Sequence, residues 1–291
     1  VDHKYVIVTP VRDEADHIKK TIDSVASQIN KPINWVIVDD GSTDKTPQII
    51  AEAVENYSWI TAIRRKNRGF RKSGGGVIEA FYEGFSALQT SNWDFLVKLD
   101  GDLSFAPEYF HDCLSRFEDQ PELGIGGGSV YVFKNRVSIL DSPNDPRFHV
   151  RGATKIYRRK CWKQISPLEK LPGWDTIDEV KANMLGWKTG TFPEIKIYQH
   201  KATGASDGNW RNWFKNGLAN YITGYHPIFM LCKCAKRMFH KPFLLASVAL
   251  LSGFFSGYFR GINQVHDPES INFLRIQQLR RLMLTKSIYG Y

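Results

Sequence analysis

Two acidic clusters each close a short apolar run. Asp39-Asp40 follows Trp35-Val36-Ile37-Val38, and Asp100-Gly101-Asp102 follows Phe95-Leu96-Val97-Lys98-Leu99. Runs this short and rich in β-branched or bulky apolar residues read as buried strands rather than helices. Carboxylates at their ends belong at the carboxyl edge of a parallel sheet, where open α/β sheets bind their ligands. The preceding segments agree. Val6-Ile7-Val8-Thr9-Pro10 reads as a first strand, Arg12-Asp13-Glu14-Ala15-Asp16 as an acidic helix start, and residues 18–29 as a helix with apolar positions at Ile18, Ile22, Val25 and Ile29. After the second strand, Thr43 or Asp44 can cap a helix over residues 47–57. The unit is βαβα.

The spacing Asp-x-Asp has a chemical use. Carboxylate oxygens are hard ligands for Mg²⁺ or Mn²⁺, ions that take one or two protein carboxylates and fill their other positions with water and phosphate oxygens. Gly101 lets the chain turn so that Asp100 and Asp102 can serve different partners. The competing reading is a plain surface turn, since Asp-Gly is a common turn dipeptide.

Taken together, Thr9-Pro10-Val11-Arg12-Asp13-Glu14, Val38-Asp39-Asp40-Gly41-Ser42-Thr43-Asp44, Asp100-Gly101-Asp102 and Gly173-Trp174-Asp175 followed by Gly186-Trp187 resemble the motifs of the family-2 inverting glycosyltransferases, over roughly residues 4–200. The resemblance implies an α/β GT-A fold, Rossmann-like, with a mostly parallel central sheet flanked by helices. It implies transfer of a sugar from a nucleotide-sugar, a UDP-sugar being favoured, with Mn²⁺ or Mg²⁺ as cofactor. Thr9, Pro10, Arg12 and Glu14 then line the nucleotide-sugar. One of Asp39 and Asp40 reads the base and the other caps the turn, a choice the sequence leaves open. Asp100 and Gly101 approach the ribose or sugar, and Asp102 binds the metal, with His200 as a further ligand.

Between the acidic clusters, residues 64–72 carry six cations and run into Gly74-Gly75-Gly76. Glycines opening a helix let backbone N–H groups approach an anion, and neighbouring cations add charge for a pyrophosphate. Arg71 and Lys72 are the expected contacts, the alternative being a solvated basic loop. An inverting transfer also needs a general base on the acceptor hydroxyl. In the family this acid stands eleven residues before a helix-closing glycine, and counting back from Gly186 reaches Asp175. Trp174 replaces the acid that usually precedes it. Asp178, on the same helix face, is the rival, and some of these acids serve only the helix dipole. Arg151-Gly152-Ala153, with Trp174, resembles the family's acceptor pocket.

The chain has 291 residues and a net charge of +9. Residues 1–207 hold 28 basic and 28 acidic side chains, and residues 208–291 hold 11 and 2. The expected division is a catalytic domain over residues 1–207, with the nucleotide-sugar side in about 1–103 and the acceptor side in about 104–207, followed by a basic helical region. That region carries Trp210, Trp213, Phe214, Gly217, Leu218 and Tyr221 at helical spacing and an apolar stretch over residues 243–259. The pattern suits an anionic membrane surface, and the stretch falls short of the roughly 20 apolar residues of a span. A soluble helical subdomain or an oligomer contact is the alternative. Four cysteines show no zinc spacing. Together with the lack of a leader pattern they suggest a reducing compartment, hence a cytoplasmic enzyme peripheral to the inner face of the cell membrane. The acceptor is expected to be a glycan or lipid-linked. The basic tail lacks any nucleic-acid reader motif. A sugar nucleotidyltransferase would place glycines directly after the first strand, whereas the first glycine is Gly41. A non-catalytic nucleotide-sugar-binding scaffold stays as the reading from another class.

Overall fold

The computed structural model describes residues 3–70, 74–201, 208–239 and 243–290. In chain order the elements are β1 (Tyr5–Val11), α1 (Ile18–Ala26), β2 (Asn34–Asp39), α2 (Thr46–Asn56), β3 (Ile60–Arg64), α3 (Gly75–Ser86), β4 (Phe95–Leu99) and β5 (Leu103–Phe105). They continue with α4 (Tyr109–Asp119), β6 (Leu123–Lys134), β7 (Val137–Leu140), β8 (Thr154–Arg158), α5 (Arg159–Ile165), α6 (Trp174–Met184) and β9 (Lys188–Gln199). Four helices follow, α7 (Gly208–Ile222), α8 (Pro227–Arg237), α9 (Leu245–Phe259) and α10 (Pro268–Leu282).

One sheet runs β3-β2-β1-β4-β8-β6-β9-β5, with β7 paired to β6. Its first four strands are parallel. Beyond β4 the sheet is mixed, because β8 runs antiparallel to both β4 and β6 while β6 and β9 are parallel. The mostly parallel sheet expected is parallel throughout the half built from the βα repeats and mixed beyond it. Strands β1, β2 and β4 are buried along their whole length, as continuous apolar runs covered on both faces require. One apolar cluster gathers Ile7, Ile18, Trp35, Phe110 and Ile197 on one face, and a second gathers Val8, Val36, Phe81, Tyr157 and Trp162 on the other.

The acidic segment after β1 is a turn rather than a helix start. Asp13 has φ 53°, its N–H donates to Ser42 Oγ at 2.9 Å, its Oδ1 accepts from Thr43 N–H at 2.8 Å, and the helix opens only at Ile18. The N-cap of α2 is Lys45, whose side chain makes no capping bond; of the two residues expected to cap it, Asp44 lies one position further out, its Oδ1 accepting from Thr46 N–H at 2.9 Å.

The C-terminal helices share a core with the sheet domain. Ile177 and Val180 of α6 pack with Tyr221, Met230, Leu250, Phe254 and Leu274. Helices α7 and α9 touch backbone to backbone: a Cβ at Gly217 would stand 2.0 Å from the carbonyl oxygen of Leu250, and one at Gly253 would stand 2.0 Å from that of Phe214. Much of the aromatic stripe is thus turned inward, and Tyr221 fills the space left by Gly257. Among the described residues no helix is long and apolar enough to cross a membrane.

Candidate active site

The carboxyl ends of β1, β2 and β4 meet as the acidic clusters foretold. Asp39, 3% exposed, has its Oδ1 accepting from Ser42 N–H at 2.8 Å. Its Oδ2 is buried with no hydrogen-bond partner, and Arg64 Nε lies 3.5 Å away. Asp40 is fully committed, Oδ1 to Arg65 and Oδ2 to Arg68, each at 2.5 Å. Arg65 and Arg68 also hold Glu83 and Glu79, so these two cations of the basic loop brace α3. Gly41 has φ 76°, and a Cβ there would come within 2.5 Å of Asn67 Cα, so only glycine lets the loop close over this turn.

Several expected contacts of the nucleotide-sugar have other duties. Thr9 is fully buried and accepts from the Trp35 indole N–H at 2.9 Å, and Pro10 is buried in β1. An alternating strand turns Thr9 into the core, so its hydroxyl does not reach the cleft. Arg12 donates to the Phe70 carbonyl and to Asn67 Oδ1, both at 3.0 Å, and so ties the basic loop to β1. Glu14 Oε1 accepts from Lys201 at 2.8 Å. Arg71 and Lys72 lie outside the described residues.

At the end of β4, Lys98 Nζ pairs with Asp100 Oδ1 and donates to the Gly152 carbonyl at 2.5 Å. Asp100 N–H donates to the Ala153 carbonyl at 2.8 Å. Gly101 is required by packing: a Cβ there would be 2.4 Å from Val11 Cγ1. Asp102 is 5% exposed and accepts from Gln199 Nε2 at 3.1 Å. Burial, and then the neighbouring Asp100 charge, push its carboxyl up to about 6. Among the described residues no group of three or more His, Cys, Asp or Glu side chains is arranged to hold a metal ion. Two crowded carboxylates do fit a Mg²⁺ or Mn²⁺ ion that takes its other ligands from phosphate and water, since a cation relieves the repulsion that raises Asp102. His200 joins Asp102 through the main chain, its N–H donating to the Asp102 carbonyl at 2.9 Å. Its Nε2 is hydrogen-bonded to Ser104 Oγ at 2.8 Å and its ring stacks with His17 and Phe133. That nitrogen is occupied, which sets this geometry against the metal-ligand expectation.

Across the cleft, α6 begins after Gly173 (φ 84°), and Gly186 (φ 89°) follows its C-terminal end, as the spacing required. Gly152 abuts its first turn: a Cβ there would be 3.1 Å from Asp175 Oδ2 and 3.1 Å from Trp174 Cζ2. Burial pushes the Asp175 carboxyl up, but His149, Lys155, Arg151 and Lys98 outweigh it and hold it below its usual range. Arg151 is itself anchored to Asp141 at 2.7 Å. Asp178 has both oxygens engaged, Oδ1 by Lys155 Nζ at 2.7 Å and Oδ2 by the Tyr157 hydroxyl at 2.6 Å. Glu179 holds Lys155 at 2.7 Å, His149 Nδ1 at 2.9 Å and Val150 N–H at 2.7 Å. Sequence reasoning missed Lys98, Lys155 and His149. The available signal was a lysine inside each of the strands Phe95–Leu99 and Thr154–Arg158, at positions where a buried run has no use for charge.

The profile of glycosyl transferase family 2 matches residues 6–166. Glycosyltransferase GlyA of Streptococcus pneumoniae is 25% identical over 172 residues, covering 59% of this chain and 22% of GlyA, so the chain spans well under a third of that relative. Among solved structures, the mannosyltransferase PcManGT of Pyrobaculum calidifontis, in complex with GDP-Man and Mn²⁺, superposes with a TM-score of 0.55 at 15% identity, covering 99% of this chain and 77% of that one. Residues 1–349 of Staphylococcus aureus TarS, in complex with UDP-GlcNAc, superpose with a TM-score of 0.53 at 17% identity, covering 97% and 86%. At these identities the likeness is one of fold.

Proposed function

Because this chain belongs to glycosyl transferase family 2, we propose that it moves a sugar from a UDP-sugar to a hydroxyl of a glycan or lipid-linked acceptor, with inversion at the anomeric carbon. The observation that carries this reading is the reach of Lys98. Its ammonium touches Asp100 on one side and the Gly152 carbonyl on the other, and Gly152 abuts Asp175. The acidic end of β4 and the acidic start of α6 are thereby linked through Lys98 and Gly152, which supports a displacement between a bound diphosphate and an incoming hydroxyl.

In this reading Asp39 reads the base. Its Oδ2, which accepts no hydrogen bond and has Arg64 Nε at 3.5 Å, suits the uracil ring N–H, because an ionised carboxylate only accepts and a charge-assisted bond is the stronger kind. Asp102, with Asp100, would hold Mn²⁺ or Mg²⁺. Such an ion, when bound, offsets the charge that develops on the departing nucleoside diphosphate. Asp175 takes the proton of the acceptor hydroxyl, and attack from the face opposite the leaving group inverts the anomeric centre. Both oxygens of Asp178 are already engaged, which favours Asp175 as the base. Arg151, Gly152 and Trp174 form the acceptor wall, while Ala153 contributes its carbonyl to Asp100. Incubation with UDP-GlcNAc, UDP-glucose, UDP-galactose and GDP-mannose, with and without Mn²⁺, tests the reading. Mn²⁺-stimulated release of UDP is expected. Nucleotide binding without any release would favour the scaffold reading.

We also infer that the C-terminal helices rest on an anionic membrane surface. Supporting this, Phe239, Phe243, Leu244, Leu245 and Val248 are exposed where α8 gives way to α9, beside Lys236 and Arg237 at the end of α8. Apolar side chains flanked by cations are what an acidic lipid interface selects.

A further inference from the structure

Lys98 and Lys155 are directly opposite each other in the antiparallel register of β4 and β8. Cross-strand neighbours point to the same face, and two like charges there repel. Each ammonium lies 5.5 Å from the centre of the Trp174 ring, so the pair shares one aromatic neighbour at the start of α6. Their other partners differ. Lys98 turns to Asp100 and the Gly152 carbonyl. Lys155, fully buried, turns to α6, donating to the Asp175 carbonyl at 2.5 Å, to Asp178 Oδ1 at 2.7 Å and pairing with Glu179 Oε1 at 2.7 Å.

An ammonium and two carboxylates in a core are costly to desolvate, and an apolar replacement of similar volume is commonly as stable or more so. Fold stability alone therefore does not call for charge here. What the charge adds is direction. It gives the first turn of α6 a fixed hydrogen-bonded attachment to the sheet, at the residue whose side chain faces Gly152.

Resting on the glycosyl-transfer reading, we propose that Lys155 is a positioning residue for that transfer: through the Asp175 carbonyl, Asp178 and Glu179 it fixes the first turn of α6 on β8 and so aims the Asp175 carboxylate at the acceptor hydroxyl. Its cation also joins His149, Arg151 and Lys98 in keeping Asp175 ionised, while Asp178 and Glu179 supply the opposing charge.

Lys155→Met alone strands the Asp178 and Glu179 carboxylates in the core and can fail to fold. The decisive variant is therefore the double change Lys155→Met with Asp178→Leu, in which Glu179 keeps His149 and Val150. Two measurements are made on the whole chain: kcat and KM for UDP release at saturating Mn²⁺ with the fastest-used UDP-sugar, and amide hydrogen exchange over residues 176–180. The expected result is a kcat lower by about 10-fold or more because the base is no longer aimed, a KM for the UDP-sugar within about twofold of wild type because uniform binding is untouched, and faster exchange in the first turns of α6. A kcat at its wild-type value, with or without faster exchange, overturns the proposal. If the wild-type chain releases no UDP from any nucleotide-sugar, the underlying reading fails, and exchange alone decides the tether: an unchanged rate overturns it and a faster one supports it.

Discussion

Gly152 and Asp175 are so close that a single methyl on the glycine would lie 3.1 Å from Asp175 Oδ2. The contact is tight enough that the carboxylate has to move to admit it. Gly152→Ala is therefore expected to lower turnover by less than the roughly 10²-fold that a 1 Å misplacement of a reacting group costs, because the carboxylate need shift only by a few tenths of an ångström. Calorimetry should find UDP binding unchanged, because Asp39 and Asp102 are untouched.

Asp39→Asn separates the two members of the first acidic pair. The amide loses charge on the buried Oδ2 and gains an N–H that faces the base, so affinity for UDP should fall by about 10- to 100-fold, the worth of a charge-assisted hydrogen bond. Asp40→Asn should instead loosen Arg65 and Arg68 and act first on thermal stability. Titration of UDP into both variants, with melting curves, checks the division.

Asp175→Asn removes the proton acceptor and keeps its size. Turnover should fall by about 10² to 10⁴ with the KM for the UDP-sugar nearly unchanged. Asp178→Asn should chiefly destabilise, since it leaves Lys155 short of a counter-charge in the core. Asp175→Asn at wild-type turnover would sink the base assignment.

His149 gives the fold a pH dependence of known sign. Burial works against its charge, but the Glu179 carboxylate outweighs this and raises it from 6.5 to about 8. The folded chain therefore holds a proton that the unfolded chain releases above pH 6.5. The stabilisation, about 2 kcal/mol, is complete below pH 6.5 and is lost as the pH rises through about 8. Urea unfolding of wild type and His149→Gln from pH 6 to 9 should show a gap that narrows with rising pH. A gap of constant size would mean that the imidazolium is not what stabilises.

For the C-terminal surface, Phe243→Ser with Val248→Ser should reduce co-sedimentation with vesicles containing acidic lipid more than Lys236→Gln does. Salt should weaken the binding of the wild type, since surface charges are screened over about 8 Å at physiological ionic strength. A wild-type chain that stays in the supernatant at low salt would return these helices to a packing role.

Strand runs such as Trp35 to Val38 and Phe95 to Leu99 were legible because burial on both faces writes an unbroken apolar string. The ends of helices were legible where one residue type meets one need, as with Gly186 after α6. What stayed hidden were long-range pairings. That Asp40 is consumed by Arg65 and Arg68 while Asp39 Oδ2 is left without a hydrogen bond depends on how the loop after β3 folds back. No local pattern encodes it. The burial of the Thr9 hydroxyl against Trp35 was hidden because a motif names a segment, whereas the pleat decides which of its side chains turn into the core. Lys155 belongs to a register between strands 57 residues apart in sequence, counted from Lys98 to Lys155.

Ile177 and Val180 lie on the same helix as Asp175, yet they pack with Tyr221, Leu250 and Leu274. Helix α6 is thus a party wall, its upstream turn lining the cleft and its outer side supporting the C-terminal helices. A chain cut at residue 207 would leave that wall bare to water and would lose more than an appendage. On the proposed reading, anything that presses on α7 to α10, a lipid surface included, leans on the helix that carries Asp175, which makes the place of docking and the rate of reaction mechanically one question.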